Sequence, residues 1–207
     1  YTLNSDGTVT FNPLPTFYGT VATPVKYQAQ DSLGQFENST ITPTVAQPPM
    51  ASATNDVSSD NYDTNQLIRP LDNDSSGSNE QTLLPDTVKL CNPASTPPQT
   101  SPNCTLTSLT TADGTYTVNS DGTVTFNPLP TFTGTVATPV GYQDTDALGR
   151  KVSANITPTV GLPAAPSAAP ETSSGPFNTP QSTLPLVNET PGSASFPLSA
   201  TDLRLCA

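Results

Sequence analysis

Residues 116–140 read "YTVNSDGTVTFNPLPTFTGTVATPV", and residues 1–25 read "YTLNSDGTVTFNPLPTFYGTVATPV". Within the first of these, Tyr116 and Val118 alternate with Thr117 and Asn119. Ser120-Asp121-Gly122 interrupts the alternation, and Val124 and Phe126 resume it against Thr123 and Thr125. Asp-Gly between two β-rich alternating runs is a hairpin signal, because the tight turn demands a positive φ that glycine accepts without steric cost. Proline then enters in "NPLP", where it has no N–H to give to a strand ladder. The passage therefore predicts β structure with one face buried.

The repetition extends well beyond the hairpin. Residues 1–45 align without a gap on residues 116–160, and roughly three quarters of the paired residues are identical. A looser match at the same offset relates "LDNDSSGSNEQTLLPDTVKLC", ending at Cys91, to "LVNETPGSASFPLSATDLRLC", ending at Cys206. The unit is thus about 115 residues long (116 − 1), and such self-similarity marks an array of like modules. Residues 1–45 are expected to be the C-terminal half of a repeat and 46–160 a complete repeat with a Pro-rich linker at its start. Residues 161–207 are expected to be a linker followed by the N-terminal half of the next. Such ends suggest either a window on a longer array or subunits whose halves are completed by neighbouring chains.

Further along the complete unit, "TPVGYQDTD" reads as a strand and "DALG" as a turn. "KVSANITPTV" places Val152, Ala154 and Ile156 on one face at period two. In the first copy Glu37 stands where Val152 does, which leaves the register of that last strand open. Short apolar segments at "NQLIRPL" and "DTVKLC" complete the front half. No helical periodicity exceeds a turn. The expected fold is all-β: tandem antiparallel, Ig-like β-sandwich repeats of about seven strands each, arranged as an elongated rod.

Composition excludes several classes of function. With 17 acidic and 6 basic residues the formal net charge is −11, which repels phosphate backbones and anionic headgroups, so no nucleic acid is expected as partner. No apolar run approaches the length of about 18 residues needed to span a bilayer, so membrane insertion of this segment is not expected. Histidine is absent, removing the commonest general base and the commonest nitrogen ligand of zinc. The paired carboxylates Asp144 and Asp146 read as turn residues, since Asp144 aligns with Ala29. No catalytic residue is expected.

Three other features bear on chemistry. Cys91 and Cys104 flank a Pro-, Ser- and Thr-rich loop, and a disulfide is the default reading in an extracellular chain; no His or further Cys lies nearby to favour a metal. Cys206 is the counterpart of Cys91, so its partner is expected beyond the last residue. Asp72, Asp74, Ser76 and Glu80 around Gly77 have the alternating oxygen ligands of a calcium loop. The third copy, "LVNETPGSAS", breaks that pattern, so a solvated turn is the simpler reading and calcium the lesser one. Lysine-to-asparagine cross-linking is disfavoured: Lys26 aligns with Gly141, Lys89 with Arg204 and Lys151 with Phe36.

The segments "GTYTVNSDGTVTFNPLPTFTGTVATPVGYQDTDALGRKVSANITPTV" and "NQLIRPLDNDSSGSNEQTLLPDTVKL" resemble the back and front halves of the CshA-type fibril repeat. The resemblance implies a tandem array on the surface of Gram-positive bacteria, especially streptococci and actinobacteria, anchored to the cell wall as a stiff fibril. It implies attachment to host or other microbial surfaces through a non-repetitive region elsewhere, with the repeats as stalk. Two alternatives remain open: a pilus-like subunit polymerising through its half-repeats, and a repeat that itself binds a glycan or protein.

Overall fold

A computed structural model describes residues 1–79, 81–95 and 99–206. Residues 1–45 form six short strands: β1 (Thr2–Leu3), β2 (Val9–Thr10), β3 (Gly19–Thr20), β4 (Val25–Gln30), β5 (Phe36–Ile41) and β6 (Thr44–Val45). Nine more follow: β7 (Asp56–Asp60), β8 (Gln66–Ile68), β9 (Lys89–Leu90), β10 (Ser108–Thr110), β11 (Gly114–Val118), β12 (Val124–Pro128), β13 (Gly134–Thr135), β14 (Val140–Thr145) and β15 (Lys151–Val160). The described helical elements are three single 3-10 turns at Pro70–Asp72, Pro85–Thr87 and Ala200–Asp202. The molecule is all-β, as expected, with nine strands across residues 46–160 rather than about seven.

The β11–β12 hairpin forms where the sequence placed it, pairing Tyr116 with Phe126 and Val118 with Val124. Gly122 takes φ +83°, and Asp121 Oδ1 accepts from the Thr123 amide at 3.1 Å and the Thr123 hydroxyl at 2.7 Å. β10 and β8 flank the hairpin, giving the order β10-β11-β12-β8. A second sheet runs β13-β15-β14-β9, with β7 also paired to β15.

The two sheets enclose one apolar core. Tyr116, Val124, Phe126 and Ile68 from the first meet Val140, Tyr142, Ile156 and Leu90 from the second, each less than 5% exposed. Burying each large side chain contributes about 1.5–3 kcal/mol, and this core holds the module together.

One pairing departs from the antiparallel expectation. β7 runs parallel to β15, with Asp56 opposite Ile156 and Asp60 opposite Val160. A strand of sequence "DVSSD" carries no apolar alternation of its own, so only the long-range partner defines it.

Residues 1–45 repeat the same registers without the core. Thr2 pairs with Thr10 as Thr117 does with Thr125, Gly19 with Val45 as Gly134 does with Val160, and Ala29 with Glu37 as Asp144 does with Val152. The register of β5 is thereby the same as that of β15, despite Glu37. Burial is not the same: Tyr27 is 42% exposed where Tyr142 is fully buried. Residues 161–206 contain no named strand, but the Ser167–Thr190 bridge reproduces Ser52–Ser75, and Ala169 N donates to Glu189 Oε2 as Thr54 N does to Asp74 Oδ1.

Candidate functional site

Cys91 and Cys104 are joined in a disulfide with their Cα atoms 4.4 Å apart. Both are buried, because Cys91 follows β9 on the flank of β14, where its amide donates to the Gly141 carbonyl at 2.9 Å. A Cβ on Gly141 would lie 3.2 Å from Cys91 Sγ. The glycine therefore admits the disulfide against the strand. Asn92 orders the start of the enclosed loop, accepting from the Gln99 and Ala94 amides, and Lys151 Nζ donates to Pro102 O at 2.7 Å on its far side. Cys206 is a free, exposed thiol.

Two of the calcium-loop candidates, Asp74 and Ser76, are engaged by other groups of the protein. Asp72 is exposed and the Ser76 hydroxyl donates to Ser78 O at 2.8 Å. Asp74 turns inward, accepting from the Thr54 amide at 2.7 Å and from Tyr142 Oη at 2.8 Å. Glu80 lies outside the described residues. Among those described, no group of three or more His, Cys, Asp or Glu is arranged to hold a metal ion.

Asp74 instead joins a group of buried acids that sequence reasoning missed. Asp144 is not a turn residue: it lies within β14, fully buried, and neither carboxyl oxygen has a protein hydrogen-bond partner. Asp56, at the start of β7, is 6% exposed with Oδ2 unpartnered. Burial pushes the Asp56 carboxyl up to about 6, with the Asp74 charge adding to it. Burial likewise pushes Asp144 up to about 7, helped by the charges of Asp74 and Asp146. Asp74 is raised as well, again chiefly by burial. Period two in β14 carried the missed signal, since Asp144 continues the inward face of Val140 and Tyr142.

Asp146 is buried too, but it is satisfied. Its Oδ1 accepts from the Leu148 and Arg150 amides, and its Oδ2 pairs with Arg150 Nε at 2.6 Å. Burial opposes its ionisation, yet these hydrogen bonds outweigh burial and hold the carboxyl below the ordinary range. The same guanidinium reaches the carbonyls of Pro48 and Pro49 at 3.0 and 2.9 Å, fastening the Pro-rich segment to the module. The buried acids lie in the core and at the strand that follows this segment; they are not arrayed around an open cleft.

The family model for the surface adhesin CshA repetitive domain matches residues 1–45 and 48–160. The chain belongs to that family. The two matched segments meet at the Pro-rich stretch that Arg150 grips. CshA repeats are surface adhesin repeats and not an enzyme family, so this chain is a tandem-repeat adhesion protein of the cell surface. Among the described residues no helix is long and apolar enough to cross a membrane. No curated protein matches the chain.

Proposed function

We propose that this chain is a stalk segment of a fibrillar adhesin, built from Ig-like β-sandwich repeats of about 115 residues (116 − 1) that stand in series and carry an adhesive tip away from the cell. The observation that supports this is the return of the same strand registers at that offset in residues 1–45 and 116–160. Modules of one kind that meet only their neighbours allow length to be added without redesigning a core. In this reading residues 1–45 are a C-terminal half-repeat, 46–160 a whole one, and 161–207 a linker with the next N-terminal half. The partners are neighbouring repeats, while host or microbial ligands are met by other regions.

The test is the mass of the native surface material after boiling in SDS, reduced and unreduced. A covalent stalk runs as one species far above 21.5 kDa in both lanes. A band at that mass would replace this reading with subunits assembled through their half-repeats, as the open face around Tyr27 would then require.

A further inference from the structure

The parallel pairing of β7 with β15 has a mechanical meaning. β7 is the first strand of the complete unit, reached after the Pro48–Pro49 segment held by Arg150 and the Ser52–Ser75 bridge, and β15 is the last, so tension passes to the start of β7 and the end of β15. In a parallel pair those two points lie at opposite ends of the ladder. Tension applied along the chain therefore draws the two strands past one another lengthwise, loading every rung at once. An antiparallel hairpin such as β11–β12, pulled from its open end, yields one rung at a time.

Several contacts extend the ladder. Beyond the five paired residues from Asp56–Ile156 to Asp60–Val160, Asn55 Oδ1 accepts from the Asn155 amide at 3.0 Å at one end. The Gly161 amide donates to Asp60 O at 2.9 Å at the other. Gln66 on β8 braces the same region, its Nε2 donating to Thr159 O at 2.8 Å and its Oε1 accepting from Ser58 Oγ at 2.5 Å. Gln66 is 3% exposed, so these two bonds are sheltered from competing water. Val160 and Ile156 anchor β15 in the core.

We propose that the β7–β15 ladder is a shear clamp, the element that bears tensile load through each repeat. This deepens the stalk reading and rests on it, since load along the chain is what a stalk transmits.

The test is single-molecule pulling of the whole 207-residue chain between its amino terminus and the exposed thiol of Cys206. The unit is expected to hold until one event releases it entirely. Adding reductant to open the Cys91–Cys104 loop, whose ends are 13 residues apart, should lengthen that step by about 40 Å at ~3.5 Å per residue. A separate early step in which β7 peels away at low force would overturn the clamp, and this readout needs no variant. Val57→Pro and Ser58→Pro, made singly, sharpen it. Adjacent strand residues point their N–H groups to opposite sides, so one of the two should lower the rupture force to about half and the other much less. Val124→Ala, in the other sheet, lowers thermal stability and should leave the force nearly unchanged. Equal weakening by Val124→Ala would assign the resistance to the core and refute the clamp. Neither result alters the mass of the native fibre, so failure here is separable from failure of the stalk assignment.

Discussion

Tyr142 Oη donates a 2.8 Å hydrogen bond to Asp74 across 68 residues of sequence, joining the middle of β14 to the segment after the Pro70–Asp72 turn. The phenol thereby sits beside Asp56 and Asp74, while the Arg150 guanidinium is engaged by Asp146 and by Pro48 and Pro49. Burial raises the carboxyls of Asp56 and Asp144 from 3.8 to about 6 and about 7. A carboxyl raised in the fold binds its proton more tightly there than in the unfolded chain. Its stabilising contribution is whole below the unfolded value and is lost as pH climbs through the folded one. Thermal stability of the chain should therefore fall by roughly 5 °C or more between pH 5 and pH 8. Asp144→Asn should flatten that slope and raise the melting temperature at pH 8. A melting temperature that is level across this range would refute the account.

Arg150 and Asp146 make the opposite case. Asp146 is held below the ordinary range, so its contribution is present above the unfolded value and is lost as pH falls through the folded one. Arg150→Gln, the residue found at Gln35, leaves the Asp146 carboxylate buried without its cation. A loss of about 3 kcal/mol is expected from urea unfolding at pH 7, together with faster amide exchange near Pro48 and Pro49.

The disulfide closes a loop whose ends are 13 residues apart. Replacing both Cys91 and Cys104 by serine should lower the unfolding free energy by roughly 3 kcal/mol. Reductant should weaken the wild-type chain by a similar amount and leave the double variant unmoved.

Phe126 and Phe11 occupy the same place in two copies but not in the same surroundings. Phe126 is wholly buried, whereas Phe11 is only half-buried, against Tyr1 and Phe17. Phe126→Ala should remove about 3–5 kcal/mol from the main unfolding transition. Phe11→Ala should leave that transition where it was, and calorimetry of both variants checks the contrast.

What the sequence disclosed was what is local. The hairpin of "NSDGT" and the inward face of Val152, Ala154 and Ile156 are written in turn residues and period two; the hairpin forms where expected and Val152 and Ile156 are buried. The disulfide followed from two cysteines and a loop of turn-forming residues between them. β7 was hidden because Asp56–Asp60 carries no apolar pattern, and its partner lies 100 residues later (156 − 56). Asp144 was misread because aspartate usually marks turns, whereas here tertiary packing encloses it. Nothing in the alternation of Asp72, Asp74 and Ser76 foretells that Asp74 turns toward Tyr142.

Gly141 also sets its own half apart from the earlier copy. Two copies so alike invite a front half to settle on the wrong back half, a recurrent misfolding route in arrays of near-identical domains. The strands of residues 1–45 are already synthesised when β7 and β9 emerge, and they offer the same registers. Lys26, however, stands where Gly141 does, at a place where even a Cβ would lie 3.2 Å from Cys91 Sγ. A front half carrying the Cys91–Cys104 disulfide thus meets a lysine stem on the earlier copy and a glycine with no Cβ on its own. Of the twelve positions at which the two copies differ, this one abuts the disulfide.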